Sequence, residues 1–189
     1  MREMKIGFMQ RDLMENTIVY REEVRPEDRE AVGRLVRATG FFSEEESGIA
    51  VELVDERLAK GEASGYLFLF AEEEARLLGY ACFGPIPGSL HSCDLYWIAV
   101  DPNEQGRGIG KNLLAESERL MAERGARRVY ADTSSRPRYE PTRAFYLACG
   151  YRQEAFLPDF YAPGDGKVIF VKRLVSSSRP KNCMQTLKK

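Results

Sequence analysis

The chain has 189 residues, of which 43% are apolar, with Lys+Arg 28 against Asp+Glu 29 and a formal net charge of −1 at pH 7. That apolar fraction is enough to build one core, whereas the balanced charge gives no basic surface for nucleic acid. No apolar run reaches the ~18 residues that cross a bilayer, and residues 1–15 lack the apolar segment of a secretion signal. We therefore expect a cytoplasmic protein that binds neither nucleic acid nor membrane.

The cysteines give no indication of a metal site. They are far apart in the sequence and form no CxxC pair, and His91 is the only histidine. Metal ligands normally cluster at short spacings, so we expect no metal. The cysteines are interpreted as reduced and partly buried. They are Cys82, Cys93, Cys149 and Cys183.

The first quarter of the chain predicts one strand and two helices. Residues 17–24 are rich in β-branched and aromatic residues, typical of a strand. A helix then begins at Pro26 and ends before Gly40. A second helix begins at Ser43, where the glutamate three residues later completes a capping-box pattern, and ends at Gly61. The predicted buried face of this second helix consists of Ala50, Leu53, Val54 and Leu58.

Strands dominate the next segment. Two apolar runs, 66–71 and 77–83, are separated by an acidic turn and predict a hairpin. Glycine and proline residues between 84 and 88 form a loop. The run 95–100 is apolar enough to be a central strand.

The second half of the chain predicts strand–helix–strand units. A helix with Leu113, Leu114, Leu120 and Met121 on one face extends to about Arg124. It is followed by a strand at 129–132, a short helix at 142–149 and a last strand at 167–174.

These elements predict a single mixed α/β domain. The front half is antiparallel, and strand–helix–strand units follow it. We place the domain at 17–175, after an N-terminal extension at 1–16. Residues 176–189 are polar and basic and are predicted to form a disordered tail.

The strongest motif is a glycine loop that joins a buried strand to an amphipathic helix. The strand ends at Val100 and Pro102, and Gly106, Gly108 and Gly110 precede the helix. Glycines let backbone N–H groups approach an anion closely, and a helix start carries a partial positive charge. The loop therefore predicts a phosphate site.

Two common phosphate-binding motifs fit this loop poorly. A Walker A motif requires glycine where Gln105 stands and Ser or Thr where Asn112 stands. A dinucleotide fingerprint requires a third glycine at the position of Lys111. Asp132, at a predicted strand end, keeps the dinucleotide alternative open. A purely structural turn between strand and helix is a second open alternative.

A third pattern fits better. The loop contains Gln105-x-x-Gly108-x-Gly110, preceded by LYWIAVDP at 95–102 and followed by TRAFYLACGY at 142–151. In these segments the chain resembles the GNAT superfamily of N-acetyltransferases. The resemblance implies a mostly antiparallel central sheet, flanked by helices, in which two parallel strands splay apart. It also implies acetyl-coenzyme A as the co-substrate and an N-acetyltransferase activity.

The resemblance further implies where the coenzyme lies. Loop amides from Gln105 to Lys111 would hold its pyrophosphate, with Arg107 beside the phosphates. The pantetheine arm would pair with the exposed backbone of the splayed strand. The implied coenzyme-binding residues are Ile98, Ala99, Val100, Gln105, Gly106, Arg107, Gly108, Ile109, Gly110 and Lys111.

Two side chains are candidate catalytic groups. Tyr146 matches the tyrosine that faces the coenzyme sulfur in the family, and a phenol with a pKa near 10 is protonated at neutral pH and can donate to a thiolate. By periodicity alone, a helix-core aromatic is the open alternative for Tyr146. Asp94, six residues before Val100, stands where many relatives carry a glutamate that faces the cleft. The family has no single conserved base, and a solvated aspartate at a strand start is the open alternative.

The acceptor is predicted from loop residues near the end of the domain. Asp159 and Tyr161 precede the last strand and are candidates to receive a small cation. Arg136 and Arg138 are candidates to bind a carboxylate. Together they suggest an amino acid or related small amine. Ordinary solvated loop charges are the open alternative for these residues. A peptide or protein amine, an aminoglycoside and a noncatalytic acyl-coenzyme A sensor remain alternatives for the function, and we expect a monomer or homodimer.

Overall fold

The computed structural model of the protein describes residues 17–174. The predicted extension at 1–16 and the predicted tail at 176–189 lie outside the described residues.

Seven strands and four α-helices make up this part of the chain. The strands are β1 (Val19–Arg21), β2 (Leu67–Glu73), β3 (Arg76–Pro85), β4 (Ser92–Val100), β5 (Arg128–Ser134), β6 (Arg152–Ala162) and β7 (Asp165–Arg173). The helices are α1 (Asp28–Ala38), α2 (Glu44–Lys60), α3 (Ile109–Glu123) and α4 (Glu140–Ala148). Among residues 17–174, none of the helices is both long and apolar enough to cross a membrane.

The strands form one sheet in the order β1-β2-β3-β4-β5-β7-β6. Within residues 17–174 its only parallel pair is β4 with β5, and the other neighbours are antiparallel. One face packs on α1 and α2 through a core that includes Val36, Val54 and Tyr80. The other face packs on α3 and α4 through a core that includes Leu113 and Tyr146. The mixed α/β prediction is confirmed.

Local sequence signals set both ends of α2 as predicted, with Ser43 before its first residue and Gly61 after its last. The Ser43 amide donates to the Glu46 carboxylate at 2.7 Å, and the Glu46 amide donates to the Ser43 hydroxyl at 3.1 Å. This capping box satisfies two amides at the start of α2. The predicted burial of Leu58 is wrong, because residues 58–63 are all exposed and the end of α2 extends away from the core.

The sequence prediction missed β6. The segment 158–165 was expected to be a loop, but most of it belongs to an edge strand that pairs with β7. Nearly all of β6 is exposed, so it lacks the apolar alternation by which strands are recognised. Pro158 lies in the irregular stretch between Leu157 and Ala162, where β6 has no register pairs with β7, so its missing N–H costs no ladder bond.

β4 and β5 separate along their length. They pair only where Ser92–Leu95 faces Arg128–Ala131, and beyond Leu95 their pairing stops. The β5-facing backbone of residues 96–100 therefore has no strand partner within residues 17–174. Both parallel strands run toward this open end, as the resemblance predicted.

Candidate active site

A cleft of about 800 Å³ lies between the separated ends of β4 and β5. Its lining comes from both faces of the sheet, from the loop between α1 and α2, and from the start of α4. Seven of the predicted site residues line it: Asp94, Ile98, Ala99, Val100, Gln105, Tyr146 and Tyr161.

The glycine loop presents free amides at the start of α3. Gly106 and Gly108 have φ angles of 83° and 78°, a left-handed conformation that favours glycine. Asn112 makes the first backbone bond of the helix, donating to the Gly108 carbonyl at 3.0 Å. The amides of residues 105–111 have no acceptor within residues 17–174. Free amides at a helix start form a site for an anion.

Two further residues predicted to bind the coenzyme, Ile109 and Lys111, lie in the first turn of α3. Ile109 is buried in the core and fixes the start of α3 against the sheet, whereas Lys111 is exposed on the first turn. The first turn of α3 contains no acidic residue, so no carboxylate of that turn neutralises the partial positive charge at the helix start.

Arg107 is paired with carboxylates rather than left free. Its guanidinium lies 2.6 Å from the buried Glu73 carboxylate and 2.5 Å from that of Glu104. The hydrogen bond to Glu73, followed by that to Glu104, raises the pKa of Arg107. Two carboxylates thus offset its charge, and Arg107 holds the loop against the end of β2.

Tyr146 is buried on α4 and lines the cleft. Its ring packs at 5.4 Å from the ring of Tyr151 and at 5.5 Å from that of Phe170. Burial, reinforced by the negative charge of Asp132, raises the pKa of Tyr146. Its hydroxyl forms no hydrogen bond within residues 17–174. Tyr146 therefore stays protonated at neutral pH and has a proton available to donate.

Asp94 is half-buried on β4, at the last paired part of the two parallel strands, where it faces Tyr130 of β5 in the register. Burial raises its pKa, the charge of Asp132 raises it further, and Lys167 opposes the shift. Within residues 17–174 Asp94 forms no ion pair. A carboxylate with a raised pKa at a cleft wall is suited to accept a proton.

Of the two residues predicted to bind the acceptor substrate, only Tyr161 lines the cleft. Tyr161 lines the cleft, and burial together with Asp132 and Asp165 raises its pKa to about 12. Asp159 does not line the cleft; its carboxylate accepts the Gly164 amide at 2.6 Å. Its φ of 54° further shows that Asp159 shapes the β6–β7 turn.

Sequence reasoning missed an aromatic wall on the α1–α2 side of the cleft. The ring of Phe42 lies 4.6 Å from that of Trp97, and the ring of Phe41 lies 5.8 Å from that of Tyr139. All four residues line the cleft. The available signal was the adjacent pair Phe41-Phe42 in a short loop between two predicted helices.

Known proteins share this architecture. The model of the acetyltransferase (GNAT) family matches residues 29–151. A solved putative acetyltransferase of the GNAT family from Desulfovibrio desulfuricans is 45% identical with a TM-score of 0.83, over 84% of this chain and 100% of that one. An aminoglycoside 6'-N-acetyltransferase complexed with coenzyme A shares the fold at 20% identity and a TM-score of 0.68, over 86% of this chain and 99% of that one.

Another relative is a longer protein, of which this chain matches only a part. The mycothiol acetyltransferase of Amycolatopsis mediterranei (strain U-32) is 30% identical over 125 residues, which are 62% of this chain and 41% of the relative. The chain thus spans about two fifths of that relative's length. The family match covers most of the described domain, including the glycine loop and Tyr146. The chain belongs to the GNAT family of acetyltransferases.

Proposed function

We propose that the protein is an N-acetyltransferase that moves an acetyl group from acetyl-coenzyme A to the primary amine of a small molecule such as an amino acid. The observation that carries this proposal is that a cleft and a loop with free amides adjoin one another. A cleft opens between diverging parallel strands, and it leads to a loop whose amides at 105–111 have no acceptor among the described residues 17–174.

The coenzyme would be held mainly by backbone. The free amides of 105–111 suit a pyrophosphate at the α3 start, and the unpaired edge of Ile98, Ala99 and Val100 suits the amides of a pantetheine arm. Arg107 contributes its amide, because its guanidinium is paired with Glu73 and Glu104. Lys111 adds an exposed positive charge on the first turn of α3.

The chemistry requires a neutral amine and a proton for the leaving thiolate. An alkylammonium with a pKa of about 10.4 is neutral in only about one part in 10³ at pH 7. Asp94 would take a proton from the acceptor's ammonium group through a water molecule. The resulting neutral amine nitrogen would then attack the thioester carbonyl. As the carbon–sulfur bond breaks, the thiolate would take the proton of the Tyr146 hydroxyl, and the second proton of the attacking nitrogen would pass to the Tyr146 phenolate, which completes the amide and restores the phenol. Tyr161 would border the acceptor.

Replacement of Asp94 by asparagine tests the base. We expect the variant to be about 10-fold slower at neutral pH, below the usual effect of a directly placed base because a water intervenes. The deficit should shrink toward pH 10, where the amine is neutral without assistance. Burial raises the pKa of Asp94, so its ionised form opposes folding above the unfolded-state pKa, and the variant should unfold at no lower temperature. A pH–rate profile that superimposes on that of the wild type would exclude Asp94.

The activity itself is tested by release of free thiol from acetyl-coenzyme A in the presence of amine acceptors. Small amines, amino acids and peptides should be compared, with calorimetry of coenzyme A binding in parallel. Binding together with thiol release from small amines supports the proposal. Turnover of peptides alone would indicate a peptide or protein acetyltransferase, and binding without any turnover would indicate a sensor.

A further inference from the structure

Three of the six charged residues that line the cleft form ion pairs within residues 17–174, namely Asp132, Arg136 and Asp165. Asp165 is buried and lies 2.9 Å from the guanidinium of Arg136, and it also accepts the Ser134 hydroxyl at 2.5 Å. Asp132 forms an ion pair with Lys167 across β5 and β7. Because its Nε lies against a buried carboxylate, the charge of Arg136 is offset, and Arg136 is the weaker candidate to bind another anion.

Arg138 differs from Arg136 in its partners. Its Nη2 donates to the carbonyl of Phe41 and to the hydroxyl of Tyr139, both neutral acceptors. Within residues 17–174 it has no carboxylate partner, and its Nε and Nη1 donate to no acceptor. The guanidinium lies over the Tyr139 ring at 5.1 Å. The contact with Tyr139 raises the pKa of Arg138, and the charges of Glu46 and Asp165 add to this from farther away. Arg138 is thus held at the cleft lining without a direct ion pair to a described residue and with free donors.

The position of Arg138 is defined by two loops. The Tyr139 hydroxyl also donates to the Phe41 carbonyl, at 3.2 Å, so the loop before α4 is tied to the loop between α1 and α2. A guanidinium held on two sides is pre-organised, and less side-chain entropy is lost when it binds an anion. Arginine forms charge-assisted hydrogen bonds to carboxylates with directional geometry.

We propose that Arg138 binds a carboxylate of the acceptor, which makes the acceptor of this site a free α-amino acid. This inference rests on the proposed acetyl transfer. The cleft lining then presents complementary groups to a zwitterion, with Asp94 for the amine and Arg138 for the carboxylate. The rings of Phe41, Phe42 and Trp97 suit an apolar side chain. In a peptide, the carboxyl group next to the N-terminal amine is an amide, so peptides lack this charge.

Matched acceptor pairs test the assignment. Each pair is an amino acid and the amine that lacks only its carboxylate, such as L-phenylalanine with 2-phenylethylamine and L-methionine with 3-(methylthio)propylamine. We expect the wild type to favour the amino acid by about 10-fold in kcat/KM, the lower range for a charge-assisted hydrogen bond because Arg138 is exposed. The variant Arg138→Gln should lose this preference, because the KM for the amino acid rises well above any change in the KM for the amine.

The control is Arg119→Gln, which removes an exposed arginine of α3 that does not line the cleft; it should retain the preference. The role of Arg138 would be overturned if the wild type used both members of each pair equally, or if Arg138→Gln lowered kcat/KM equally for both. Either result would leave the proposed acetyl transfer standing. The second result would indicate that the variant only loosens the contact with Phe41. Absence of thiol release from every amine and peptide would instead overturn the acetyl transfer, and this inference with it.

Discussion

Replacement of Tyr146 by phenylalanine should lower kcat by about 10- to 1000-fold, the range for loss of a general acid. The substitution removes only a hydroxyl that has no hydrogen-bond partner within residues 17–174. The ring contacts with Tyr151 and Phe170 stay in place, so the melting temperature and the affinity for coenzyme A should change little. Single-turnover and steady-state thiol release would measure the effect, with coenzyme A affinity determined by calorimetry.

Tyr151 offers a matched control. It is a buried tyrosine whose ring lies 5.4 Å from that of Tyr146, but it does not line the cleft. Tyr151→Phe should therefore leave kcat within about twofold, as expected for a hydroxyl outside the chemistry. A Tyr146→Phe protein that folds, binds coenzyme A and turns over at the wild-type rate would remove Tyr146 from the mechanism.

Replacement of Gly108 by aspartate should weaken coenzyme A binding by roughly 100-fold or more. A carboxylate there would face the diphosphate across a few ångströms, and at an intermediate dielectric this repulsion amounts to about 3 kcal/mol. Gly108 precedes α3, and a Cβ built on it meets nothing within 4 Å, so the new side chain has space. Aspartate tolerates a φ of 78° better than most residues and favours helix starts, so the fold should survive.

The matched comparison is Gly108→Asn, which has nearly the same shape and backbone tolerance but no charge. Calorimetry at low and high salt should show a large difference between the two variants that shrinks as salt screens the charges. If both variants bound coenzyme A equally well, no anion would lie at the start of α3. The proposed position of the pyrophosphate would then be wrong.

The sequence alone predicted those features that depend on neighbours in the chain. The capping box of Ser43 and Glu46, the end of α1 before Gly40, and the glycine loop ahead of α3 each require only a few adjacent residues. Because backbone conformation and capping are local, these patterns give the same structure wherever the rest of the chain lies. The resemblance carried by the glycine loop and the TRAFYLACGY segment then supplied the arrangement of the sheet.

The tertiary structure decided what depends on residues far apart in sequence. It revealed β6, which as an exposed edge strand has no apolar period, and it paired Arg107 with Glu73, 34 residues away. It tied Arg138 to Phe41, 97 residues away, and placed Asp159 at a turn instead of in the cleft. A sequence shows which groups are present, but ion pairs and cleft walls form between segments that only folding brings together. Local patterns therefore determined the helix starts and the glycine loop. The packing of the sheet, helices and loops determined which charged side chains remain without an ion-pair partner at the cleft.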